Sequence, residues 1–263
     1  MAKEFKDPRS PHQKIAAEIR RRITRGDLPP GSKLGSTAEL MEEFGGVANT
    51  TVQKALQMLK AEGLLEGLPG KGVYVQQHAQ QVVEPIAYMQ SAAPGEPYPW
   101  VSEAVKRQQV GRSQLLDVEV VFPPREVAEA LRLENGERAV LRRQILFLDE
   151  EPTELARSYY PLSLVEGTAI LEKRRIRGGT PALLDSMGFP PREFVDELSS
   201  EIPTEEEAVA LELPKDMPVL VAFRVVYSDG GRPIEVTLMT KAAHRYRMRY
   251  RLSVDERSPA GGR

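Results

Sequence analysis

The segment from Pro11 to Val75 constrains the fold most: three stretches of helical periodicity, each closed by glycine, run into two β-type runs around Gly70-Lys71-Gly72. Behind Pro11, the residues Ile15, Ala16, Ile19 and Ile23 recur on one helical face, and Arg20, Arg21, Arg22 and Arg25 fill the last turns before Gly26. Leu28-Pro29-Pro30-Gly31 forces a turn. Ser36 is placed to cap a short helix that carries Leu40, Met41 and Phe44 inward and stops at Gly45-Gly46. Asn49 is placed to cap a third helix with Val52, Ala55, Leu56 and Leu59 inward, Thr50, Thr51, Gln53, Lys54 and Gln57 outward, and Gly63 at its end. Leu64 to Gly67 and Val73 to Val75 predict two small strands with a glycine-rich tip between them.

Two short helices joined by a tight glycine turn, the second polar on its outward N-terminal half, are what a helix-turn-helix needs to read base edges in a major groove. The hairpin behind them predicts a wing, where Gly70 and Gly72 allow close backbone approach and Lys71 reaches a phosphate or groove edge. Charge agrees. Residues 1–76 hold 12 Lys and Arg against 9 Asp and Glu, whereas the remainder holds 24 against 29.

In order and spacing this segment resembles the GntR family of bacterial regulators. The resemblance is carried by Ile15 to Ile23, by Gly26-Asp27-Leu28-Pro29-Pro30-Gly31-Ser32-Lys33-Leu34, by Thr51 to Leu56, by Leu59 to Leu64 and by Gly70 to Val75. With the outward residues above, it gives a candidate DNA-contacting set of Lys33, Ser36, Thr37, Asn49, Thr50, Thr51, Gln53, Lys54, Lys71 and Gly72. The departures concern the target. Gly35-Ser36-Thr37-Ala38 stands where the family has Pro-Ser-Glu-Arg, the recognition-helix arginines fall on Asn49 and Gln53, and Gly45-Gly46 is one residue longer than the family turn. Arginine favours guanine, whereas Asn and Gln suit adenine, so an operator richer in A·T at those positions is expected.

Gln76 to Gln81 and Pro94 to Pro99 suggest a linker followed by an irregular stretch. The expected division is a DNA-binding domain at 1–76, a linker at 77–94, a second domain at 95–252 and a disordered tail at 253–263. From Leu115 onward strands and helices alternate. Strands are expected at Leu115 to Phe122, Ala139 to Leu148, Pro152 to Tyr160, Phe194 to Glu201, Val219 to Tyr227 and Pro233 to Thr240. Helices are expected at Arg125 to Leu133, Thr180 to Met187 and Thr204 to Leu211. Turns this short cannot make parallel crossovers, so an antiparallel α+β domain follows. Trp100 is read as core, and Glu205-Glu206-Glu207 as a first turn complementing a helix dipole.

This half resembles the UTRA ligand-binding domain of the HutC subfamily, which shares its fold with chorismate lyase. The resemblance is carried by Asp149 to Pro152, Ser158 to Pro161, Leu183 with Gly188, Pro218-Val219-Leu220, Gly231 to Glu235 and Arg245 to Met248. It implies a small-molecule pocket lined by Ser158, Tyr160, Glu235 and Thr237. The family's Arg-x-Arg strand falls here on Gln144 and Leu146, leaving Arg143, Arg157 and Arg224 as candidate cations. Because strand faces alternate, Arg143 does not take over simply by being near.

The chain has no cysteine and three widely separated histidines, so disulfides, zinc–thiolate sites and cysteine nucleophiles are excluded; neither a metal nor a cofactor is expected. No phosphate-binding loop or nucleophile elbow is present. Without a signal peptide or long apolar run, the expectation is a cytoplasmic protein with no membrane partner. Together these readings predict a homodimeric repressor that binds a double-stranded DNA operator and is modulated by a small-molecule effector. The alternatives are an effector-independent repressor and a lyase-type enzyme on the shared fold.

Overall fold

The computed structural model describes residues 7–76, 81–86, 99–106, 108–213 and 217–251. Most of the expected linker and the expected tail lie outside them. The chain separates into two compact units. One is Met1–Gln81 with Ser200–Val219 and Ala242–Arg245; the other is Val82–Ser199, Leu220–Lys241 and Tyr246–Arg263.

In the first unit, helices α1 (Pro11–Arg25), α2 (Thr37–Glu43) and α3 (Asn49–Ala61) precede the antiparallel pair β1 (Leu65–Leu68) and β2 (Gly72–Val75). α1 opens on Ser10, whose backbone N–H donates to the Gln13 side chain at 2.9 Å, and closes on left-handed Gly26. Ile15, Ile19, Leu40, Val52, Leu59 and Val75 form its core. Residues 31–34 add a third extended segment to the hairpin, since Leu34 donates to Val73 at 2.9 Å and Val75 to Ser32 at 2.8 Å. The arginines of α1 are fasteners. Arg20 Nε donates to Glu62 at 2.8 Å at the end of α3, and Arg22 pairs with Glu43 at the end of α2. Arg21 and Arg22 both donate to Glu18, holding its carboxyl at about 2.

In the second unit, a short strand β3 (Gln81–Val83) and helix α4 (Pro99–Lys106) precede β4 (Gly111–Val121), α5 (Arg125–Ala130), β5 (Ala139–Leu148) and β6 (Glu151–Pro161). Then come α6 (Leu162–Val165), a 3-10 turn (Ala169–Leu171), α7 (Gly179–Ser186), β7 (Glu193–Glu201), β8 (Val219–Ser228), β9 (Arg232–Ala242) and β10 (Tyr246–Met248), while α8 (Glu205–Ala210), between β7 and β8 in the chain, belongs to the first unit. Six strands form one sheet in the order β4-β5-β6-β9-β8-β7, and β3 pairs with β10. β4 with β5, β5 with β6 and β6 with β9 are antiparallel. Asp149 and Glu150, both at positive φ, make the two-residue turn between β5 and β6.

Both sheet faces are covered. One packs Val140, Tyr160 and Val226 against Leu164, Ile170 and Leu184 from α6, the 3-10 turn and α7. The other packs Tyr159, Val225 and Val236 against Val127 and Leu131 of the α5 segment. Within the stretch expected to be irregular, residues 99–106 are helical: α4 buries Trp100 and Ala104 against Leu146, Leu148, Ala222 and Met239. Gly111 permits this, because a Cβ there would lie 2.8 Å from the Ala104 Cβ.

Candidate functional site

The winged unit presents a polar surface built from α2, α3 and the hairpin. Ser36 caps α2, accepting from the Glu39 N–H at 3.3 Å while its own N–H donates to the Glu39 carboxylate at 2.6 Å. Gly45 and Gly46, both left-handed, turn the chain into α3, with the Gly46 N–H donating to the Met41 carbonyl at 2.8 Å. The N-cap of α3 is Ala48, which has no side-chain cap bond to offer, and Asn49 is the first helical residue. Asn49, Thr50, Gln53 and Lys54 are exposed and Thr51 half-buried. The Gln53 Nε2 donates to the Thr37 Oγ1 at 3.1 Å, joining the starts of α2 and α3.

Lys71 and Gly72 stand exposed on the hairpin, and Lys33 crosses it so closely that a Cβ on Gly72 would lie 2.9 Å from the Lys33 Cε. The structure adds a cation absent from the expected set. Lys60 extends over Gly67, where a Cβ would lie 2.7 Å from the Lys60 Nζ. Its outward position on α3 signalled it, but its sequence distance from the glycine tip concealed its place on the hairpin.

The second unit carries a cavity on the α7 face of its sheet. A lobe of about 780 Å³, its mouth included, is lined by Glu154 and Ser158 of β6, Glu235, Thr237 and Lys241 of β9, and Arg224 of β8. Trp100, Leu146, Met239 and Met248 supply apolar wall. A second lobe of about 580 Å³ shares Gln144, Ser158 and Thr180 with the first and reaches Tyr160, Arg142 and Arg175. Strand period sets this lining, since alternate residues of β6 and β9 point to the same face.

At its centre the Ser158 and Thr237 hydroxyls, cross-strand partners, meet at 2.8 Å, and Thr237 donates to the Glu235 Oε1 at 2.6 Å. The Ser158 and Tyr160 hydroxyls also bond to Glu235. Burial pushes the Glu235 carboxyl above the usual glutamate range and raises the Tyr160 phenol well above its own. Glu235 is half-buried and lines the cavity.

The candidate cations divide. Arg224 lines the cavity, but its Nε and Nη2 donate to Asp196 at 2.6 and 2.7 Å, and its guanidinium stacks 4.3 Å from the Phe194 ring. Arg143 does not line it: its Nε donates to Asp117 at 3.0 Å on the opposite face. Arg157 pairs in register with Arg143 and shares the strand face of Tyr159, again opposite. Both fail for one reason: they are odd neighbours of the cavity residues Gln144 and Ser158. Arg142 does face the cavity side, where the carbonyls of Ile170, Glu172 and Arg174 accept from it at 2.7, 3.0 and 2.8 Å. Glu154 and Lys241, cross-strand partners forming a buried ion pair, went unforeseen. Their phase with Ser158 and Thr237 was the available signal.

Residues 106–247 match the UTRA domain, and residues 11–75 match the bacterial regulatory proteins of the GntR family. The chain is a GntR-family transcriptional regulator with a UTRA domain. This regulator is 26% identical over 257 residues to an uncharacterised HTH-type transcriptional regulator of Streptomyces coelicolor, covering 95% of each chain. It is 25% identical over 231 residues to the mannosyl-D-glycerate transport/metabolism system repressor MngR of Escherichia coli, covering 85% of this chain and 88% of MngR. A crystal structure assigned to the GntR family superposes with a TM-score of 0.60 at 27% identity, covering 94% of this chain and 99% of the other. PhnF of Mycobacterium smegmatis has the same fold, with a TM-score of 0.60 at 19% identity over 92% of this chain and all of PhnF. No helix among the described residues is long and apolar enough to cross a membrane.

Proposed function

We propose that the regulator is a homodimeric repressor whose operator affinity is set by a small molecule in the UTRA cavity. The observation that carries this is the convergence of Ser158, Tyr160, Thr237 and Glu235 on one cavity: a buried polar network facing open space is costly unless something occupies it. Two relatives, MngR and the Bacillus subtilis NagR, are repressors. Dimerisation follows from recognition, because one winged helix buries too few base contacts for gene-level specificity while two fix half-site spacing. The Asn49 to Lys54 face with Lys33, Ser36, Thr37, Lys71 and Gly72 is the proposed DNA-contacting surface. An effector controls DNA affinity only through its different affinities for the bound and released arrangements. Footprinting of the DNA upstream of the regulator's own gene, with and without metabolite fractions, tests the whole reading. Protection at low salt that weakens with one fraction is expected, and absence of protection at low salt would overturn it.

A further inference from the structure

Among the described residues, the ionisable ones lining the larger lobe are Glu154, Arg224, Glu235 and Lys241, and their pairing decides what the lobe can receive. Lys241 and Glu154 neutralise each other, with 4% and 6% of their side-chain surface exposed. Arg224 is forked onto Asp196, which also accepts from the Tyr250 hydroxyl at 2.7 Å. Neither cation can take an incoming anion without breaking a buried pair. Glu235 differs, because its bonded partners are the hydroxyls of Thr237, Ser158 and Tyr160. The cation that acts on Glu235 is Arg224, already forked onto Asp196, so this carboxylate shares a countercharge instead of owning one, in a cavity walled by Trp100, Leu146, Met239 and Met248. In the adjoining lobe Arg142 is committed to three backbone carbonyls, and Arg175 is exposed at the rim.

Resting on the cavity's being the effector site, we propose that the ligand is an organic cation, with an ammonium seated on Glu235 and an apolar body along the Trp100–Met239 wall. A carboxylate accepts several hydrogen bonds, and a charged N–H donor supplies the strongest of them while restoring neutrality. A phosphorylated or carboxylated compound would instead set like charge beside Glu235.

Three probes of one shape isolate the charge: phenethylamine, 2-phenylethanol and 3-phenylpropionate, titrated calorimetrically into the full-length regulator at constant pH and ionic strength. The amine should bind about 10- to 100-fold more tightly than the alcohol, with the carboxylate weakest. In Glu235→Gln the amine should fall to the alcohol's affinity, with a far-UV circular dichroism spectrum matching the wild type's showing that the variant is folded. Carboxylate binding as tight as the amine, an amine preference surviving in Glu235→Gln, or no binding of any probe overturns the proposal. A Glu235-dependent amine preference with unchanged DNA affinity would sustain it and remove effector control. Release of DNA by an anionic metabolite alone would do the reverse.

Discussion

Glu235 shows how one residue couples recognition to stability. Its raised pKa means that the folded protein resists ionising a group that the unfolded chain ionises freely. The favourable contribution is complete below the ordinary glutamate pKa and lost as pH rises through the raised one. Glu235→Gln, which cannot ionise, should therefore melt above the wild type at pH 8, and the gap should close as pH falls toward about 4. Thermal unfolding across that range checks it, and a lower melting temperature for the variant at pH 8 would show that the hydroxyls more than offset burial. The neighbouring ion pair behaves oppositely. Lys241→Met alone leaves Glu154 buried without its cation and should cost about 3–5 kcal/mol in urea unfolding, whereas adding Glu154→Leu should recover most of that loss.

At the scale of elements, the winged unit was legible because glycine, proline and Ser36 marked most boundaries and helical period marked each face, although Asn49 is the first residue of α3 and not its cap. The sheet was legible too. Alternation located its six strands to within a few residues, while the resemblance to the UTRA domain, not periodicity, put Ser158, Tyr160, Glu235 and Thr237 in one pocket, where the structure brings them together. Face parity defeated Arg143 and Arg157, since a guanidinium one residue out of phase belongs to the other side of the sheet. The helix α4 was hidden by Pro97, Tyr98 and Pro99, which read as irregular although proline is favoured at a helix start. The α2–α3 pair carries its own test. Gln53 is held by Thr37, and if it is the base contact proposed above, Gln53→Ala should weaken operator binding by about 1–3 kcal/mol and relax selectivity at one base pair. Selection from random DNA should return A·T there for the wild type, and guanine at that position would contradict the reading of Asn49 and Gln53.

At the scale of the whole molecule, counterion release counts how many winged units meet the DNA. Each unit offers Lys33, Lys54, Lys60 and Lys71 as exposed cations around the recognition helix and hairpin. If all four neutralise phosphates, the slope of log affinity against log salt should be near about −3.6 for one copy and about −7 for two. The absolute slope depends on how many lysines make contact, but the effect of removing one is less ambiguous. Lys71→Ala should flatten the slope by about 0.9 if a single unit binds and by about 1.8 if two bind symmetrically. Fluorescence anisotropy on an operator-length duplex between 50 and 200 mM salt, ranges over which about 10³- to 10⁵-fold affinity changes are ordinary, resolves the difference. A flattening near 1.8, with affinity lost equally on specific and scrambled DNA, would establish Lys71 as a phosphate contact used twice. A flattening near 0.9 would leave the hairpin contact intact and contradict the dimer, and no change would take Lys71 out of the interface.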